Sequence, residues 1–138
     1  LAITDHGVMY GVIDFYKAAL AEGIKPIIGC EVYVAPRTRF DKQHEFDAES
    51  RHLVLLCENE TGYRNLSYMV SMAWTEGFYG RPRIDKELLE KYHEGLIALS
   101  ACLAGNVNRE ILKNDIQKAE EIALWHKNLF KDDYYLDE

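Results

Sequence analysis

The chain has 138 residues, 48% of them apolar and 12% aromatic, with 23 acidic against 16 basic side chains and a net charge of −7. Such a composition excludes disorder, and the length allows one domain with a core of its own. No apolar run approaches the roughly 18–20 residues of a membrane span, and the acidic balance argues against a nucleic-acid surface as the main business of this segment.

In chain order, Leu1-Ala2-Ile3 reads as a strand running into Thr4-Asp5-His6-Gly7. Val12, Phe15, Tyr16, Ala19 and Leu20 then recur at helical spacing, and Gly23-Ile24-Lys25-Pro26 stops that helix. Ile27 to Val34 is the next strand, completing a βαβ unit with parallel strands. Residues 35–51 are charged and unpatterned, and are expected to form a solvated, mobile loop. His52 to Cys57 is a strand, and Tyr63, Leu66, Met69, Val70 and Ala73 mark a second helix. Thr75 to Arg83 is a connector rich in Gly and aromatics, and Asp85 caps a short helix through Tyr92. Leu96 to Leu99 is a strand, a long helix follows from a cap at Asn114 or Asp115, and Tyr134-Tyr135-Leu136 begins one more strand. Five strands alternating with helices predict an α/β fold, either an open sheet or an arc of a barrel, with parallel strands. Opening inside its first strand, the chain reads as a piece of something larger.

Four strands carry candidate metal ligands. His6 follows the first, Glu31 lies in the second, His52 opens the third and Cys102 follows the fourth. In parallel α/β folds the C-terminal strand ends share one face, where ligands and metals bind. Each residue alone has an ordinary alternative. His6 could be a turn residue, His52 a strand-edge polar residue and Cys102 a small core hydrophobe. Glu31 among Ile27, Ile28, Val32 and Val34 is costly to bury without a cation or donor. Asp5 is expected to orient the His6 ring rather than bind metal itself. His44, His93 and His126 read as structural. Cys30, Cys57 and Cys102, odd in number and widely spaced in apolar stretches, suit reduced thiols and a cytoplasmic setting.

These residues also carry a family likeness. Ala2-Ile3-Thr4-Asp5-His6-Gly7 and Gly23-Ile24-Lys25-Pro26-Ile27-Ile28-Gly29-Cys30-Glu31-Val32-Tyr33-Val34 resemble two motifs of the PHP (polymerase and histidinol phosphatase) domain. Thr75-Glu76-Gly77-Phe78-Tyr79, Pro82-Arg83-Ile84-Asp85 and the run Gly95 to Gly105 resemble its branch in bacterial DNA polymerase III alpha subunits. The likeness spans the whole chain. It implies a distorted (β/α)7 barrel, of which this chain, 1–138, would be a fragment. His6, Glu31, His52 and Cys102 then match metal-liganding positions, with Glu31 as a bridging carboxylate and Asp5 in support. The implied cofactor is a divalent metal, Zn or Mn, with Mg for the parent polymerase.

The family's opening His-x-His pair and closing Asp-x-His pair have no counterpart here, so the fragment alone is expected to be inactive. The parent would be a DNA-directed DNA polymerase, a nucleotidyltransferase. Its PHP domain would be structural, with metal-dependent 3′–5′ exonuclease activity where the site is intact. The implied partners are other domains of the alpha subunit, the replicase proofreading subunit, and DNA through the parent; no membrane is expected. The alternatives are a stand-alone PHP phosphoesterase acting on a small phosphate ester and a metal-free scaffold.

Overall fold

The computed structural model describes residues 1–137. In chain order its elements are β1 (Ala2–Ile3), α1 (Val12–Ala21), β2 (Ile27–Val34), α2 (His44–Asp47), β3 (Arg51–Cys57) and α3 (Glu60–Thr75). They continue with β4 (Arg83–Ile84), α4 (Lys86–Tyr92), β5 (Leu96–Leu99), α5 (Asn106–Leu112), α6 (Ile116–Phe130) and β6 (Tyr134–Tyr135). Three helices start at side-chain caps, each accepting a main-chain N–H from three residues on: Asn59 from Gly62, Asp85 from Leu88, and Asp115 from Lys118. Helix α1 ends before Gly23, which takes the left-handed conformation at φ +68° that its place after the helix requires.

The strands form one open sheet of six in the order β1-β2-β3-β5-β6, with β4 added to β2. Among the described residues six strands and six helices make a mixed α/β fold, and the sheet is not closed. The pairs β1–β2 and β5–β6 are parallel, as expected, and so is β2–β4. Strand β3 departs from that expectation, lying antiparallel to both β2 and β5. The reason lies in residues 35–50, which hold only the four-residue α2. A parallel return needs a crossover long enough to travel back along the sheet, usually a helix. Without one, β3 starts from the end where β2 finished.

Strand β4 and helices α2 and α5 were not expected from the pattern. Strand β4 is two residues long and begins with an arginine, and among the α5 residues only Val107 is buried. Neither has enough apolar periodicity to register. The core lies between one sheet face and α3, α4 and the end of α6. Cys30, Val32, Val34, Leu53 and Leu55 from the sheet meet Leu66, Met69, Leu88, Leu89 and Phe130. Gly62 lets α3 approach closely, since a Cβ there would lie 1.8 Å from the Gly95 carbonyl oxygen.

The 35–51 segment is not solvated throughout. Lys42 to Phe46 are exposed, but Arg39 and Asp47 are buried. Arg37 donates to both Asp47 oxygens, and Arg39 reaches Glu76, Asp85 and Glu87. Buried Arg83 donates to the carbonyl oxygens of Arg39, Asp41, Asp47 and Gly77. The charges that read as a solvated face tie the segment to α3, β4 and α4 instead.

Candidate metal centre

Alternation along β2 sends Cys30, Val32 and Val34 into the core and leaves Glu31 and Tyr33 on the opposite face. In the β2–β3 register Tyr33 stands opposite His52 and Glu31 opposite Val54, which makes Glu31 and His52 diagonal neighbours on that face. His52 sits near the start of β3. Were β3 parallel to β2, this position would lie at the far end of the sheet from the other candidates. The reversal of β3 is therefore what brings His52 to them.

The chain after β1 follows the edge of β2. Glu31 N–H donates to the Asp5 carbonyl oxygen at 3.0 Å, and Gly7 N–H to that of Glu31 at 2.9 Å, which sets His6 beside Glu31. Beyond β5, Ala101 turns the backbone at φ +65° and presents Cys102. The Asn108 side-chain amide holds this turn by donating to the carbonyl oxygens of Ala101 and Cys102, at 3.0 and 3.1 Å. His52 N–H donates to the Ala104 carbonyl oxygen at 3.1 Å, tying the turn to β3.

The side chains then converge. His6 Nδ1 is 3.0 Å from Glu31 Oε2, and His52 Nδ1 lies against Glu31 Oε1. Cys102 Sγ is 3.6 Å from His52 Nδ1. One ligand atom from each of Glu31, His52 and Cys102 falls within 4.8 Å of the others. His6 stands outside this trio, on the second oxygen of Glu31, with its side chain 67% exposed.

Glu31 Oε1 is buried and has no partner of hydrogen-bonding geometry among the described residues, despite the imidazole nitrogen against it. A buried, unsatisfied carboxylate oxygen is costly, and here it adjoins a nitrogen and a sulfur donor. An oxygen, a nitrogen and a sulfur gathered this way fit a divalent cation.

Asp5 differs from expectation. Its carboxylate accepts from Gly11 N–H at 3.4 Å, supporting the turn into α1, and among the described residues it makes no hydrogen bond to His6. The other cysteines are remote in chemistry: burial pushes the Cys30 thiol up to about 12 and the Cys57 thiol to about 11. His126 is buried against the Ile122 carbonyl oxygen, and that burial lowers its pKa. His93 packs on the last turn of α4, and His44 is exposed on α2.

Sequence reasoning missed Tyr33. Its buried ring meets His52 edge-on, with centroids 5.2 Å apart. The available signal was its position two residues after Glu31, on the same strand face. Gly7, at φ +67°, makes room for that ring: a Cβ there would lie 2.9 Å from both Tyr33 and Pro82.

The fold and site define an α/β domain with imidazole, carboxylate and thiol donors gathered at one end of its sheet. The chain belongs to the PHP domain family, whose profile matches residues 1–137. It is 54% identical over 138 residues to the DNA polymerase III subunit alpha of Chlamydia pneumoniae, covering 99% of this chain and 11% of that protein. The subunit of the same name from Borreliella burgdorferi is 51% identical, over 99% of this chain and 12% of its own length. That from Thermus aquaticus is 44% identical, over 99% and 11%. The chain thus spans about a ninth of the length of these relatives. No helix among the described residues is long and apolar enough to cross a membrane.

Proposed function

We propose that this chain is part of the PHP domain of a bacterial replicative polymerase alpha subunit, and that Glu31, His52 and Cys102, with His6 beside them, hold a divalent cation. The observation that carries the metal reading is the gathering of one ligand atom each from Glu31, His52 and Cys102 within 4.8 Å, where the buried Glu31 Oε1 makes no hydrogen bond among the described residues. Thiolate with imidazole favours Zn over Mg, and Mn less than Zn. Glu31 has one oxygen toward His52 and the other toward His6, which supports a role for it in bridging two cations. Such cations, when bound, lower the pKa of bound water and neutralise charge developing on a phosphoryl group.

In this reading the open sheet is an arc of the family's barrel. The parent is a DNA-directed DNA polymerase acting in the cytoplasm. Its PHP domain supports the other domains of the subunit, has the replicase proofreading subunit as a further partner, and trims 3′ ends where the metal site is complete. Support comes from relatives at 44–54% identity that bear the alpha-subunit name. Paired exonuclease and primer-extension assays on the protein carrying this chain test it. His52→Ala should abolish metal-dependent trimming and spare extension. Undiminished trimming in that variant would overturn the reading.

A further inference from the structure

The chain has seven arginines, and their partners set one apart. Arg37, Arg39, Arg51, Arg64 and Arg109 each pair with a carboxylate. Arg83 is buried on four main-chain carbonyl oxygens. Among the described residues Arg81 alone has neither arrangement, in a chain with 23 acidic side chains. It is nonetheless held in place. Nη1 donates to the Tyr33 hydroxyl at 2.9 Å, and the guanidinium stands 4.9 Å above the centroid of that ring. Tyr33 is itself 5% exposed and meets His52 edge-on. One buried ring therefore links Arg81, itself an exposed residue, to the donor cluster.

A second feature adjoins it. Trp74 and Phe78 stack at 5.5 Å and 24°, and both remain more than two-fifths exposed. Trp74 Nε1 donates to the Gly7 carbonyl oxygen at 2.9 Å, which fixes the pair beside the His6 turn. An open, mainly apolar groove of about 430 Å³ runs past Trp74 toward Val8, Met9 and Tyr10.

An oriented guanidinium with no acidic partner is suited to phosphoryl oxygens, and exposed aromatic faces are suited to bases. The two together, beside a candidate cation site, select a nucleotide strand over a small phosphate ester. On a chain of net charge −7, an unpaired local positive charge such as that of Arg81 favours the approach of a phosphate. Resting on the metal-site reading above, we propose that Arg81 holds a non-bridging phosphoryl oxygen of a single-stranded DNA end at the Glu31–His52–Cys102 cluster, while the Trp74–Phe78 pair takes the adjoining base.

Photocrosslinking in the protein carrying this chain tests this without relying on activity, and mapping separates this surface from any other DNA contact. The probe is a short single strand ending in iodouracil, with mass-spectrometric mapping of the adducts and metal content measured on the same samples. Adducts are expected within residues 74–81, falling at least about fivefold in Arg81→Ala and in Phe78→Ala, the range a lost stacking or phosphate contact predicts. Arg81→Lys, which keeps charge without the fork, should fall in between. Melting temperature is followed for each variant, and Arg81→Lys serves as the second variant if Arg81→Ala unfolds. No adduct in that segment, or equal yield in folded Arg81→Ala and Arg81→Lys, would overturn the proposal. Competition by inorganic phosphate as strong as by unlabelled strand would overturn the base-binding half. Adducts at 74–81 in a protein that binds no metal would defeat the metal reading alone, and normal metal content without adducts would defeat this one alone.

Discussion

His52 and Cys102 lie fifty positions apart in the chain, and Cys102 Sγ stands 3.6 Å from His52 Nδ1. Of the three cysteines Cys102 alone is exposed, while Cys30 and Cys57 are held as neutral thiols by burial. Alkylation near pH 8 should therefore label Cys102 first and leave Cys30 unlabelled in the folded protein. Added Zn should slow labelling of Cys102 alone. Mass spectrometry of labelled peptides checks both, and early labelling of Cys30 would contradict the core assignment.

The turn that presents Cys102 contains Ala101 at positive φ, a conformation costing an L-residue about 1–2 kcal/mol. Ala101→Gly should be neutral or stabilising by up to about 1 kcal/mol. Asn108→Ala, which removes both clamping hydrogen bonds, should destabilise by about 1–2 kcal/mol and weaken metal binding. Denaturant midpoints and metal titration read the two effects, and tighter metal binding in Asn108→Ala would be the wrong sign.

The core and most elements were legible in the sequence because they rest on local periodicity and caps. Helices α1, α3 and α6 show apolar stripes, and Asp85 and Asp115 sit where caps belong. The candidates His6, Glu31, His52 and Cys102 stood out in the sequence as polar residues in or beside apolar runs, and the structure brings the last three within 4.8 Å with His6 beside Glu31. The direction of β3 was not, since it depends on the path of residues 35–50 and not on the composition of the strand. Tyr33 and Arg81 were hidden for a similar reason: Tyr33 meets His52 only through the β2–β3 register, and Arg81 meets Tyr33 only through the return of the 75–83 connector. The burial of Arg39, Asp47 and Arg83 escaped because charged residues in an unpatterned stretch look solvated until their partners at residues 76–87 are in place.

Arg83 is the largest fully buried side chain, bonded to carbonyl oxygens from both the 35–51 segment and the connector. Arg83→Met should strand those oxygens and destabilise by about 3 kcal/mol or more. Arg64→Ala, breaking an exposed pair one helical turn apart, should cost about 0.5 kcal/mol or less. Urea unfolding of the two variants compares them, and a milder effect at Arg83 would refute its role as the tie.

Asp47 gives an acid-range prediction. Hydrogen bonding from Arg37 lowers its carboxyl from 3.8 to about 2. Because the folded-state pKa is the lower one, its stabilisation is complete above 3.8 and is lost as pH falls toward 2. Asp47→Asn should flatten the stability-versus-pH profile in that window and leave its slope near neutrality unchanged. An unaltered acid limb would show that Asp47 is not a principal titrating group.

The proposed anchoring of a cation by Glu31 among His6, His52 and Cys102 is read out by metal content. Elemental analysis of the purified protein carrying this chain, beside Glu31→Gln and Cys102→Ser, should find metal in the wild type and the greatest loss in Glu31→Gln. The amide removes the charge that both imidazoles face, whereas Cys102→Ser leaves a weaker oxygen donor in place. Equal metal content in the wild type and a folded Glu31→Gln protein would contradict the account.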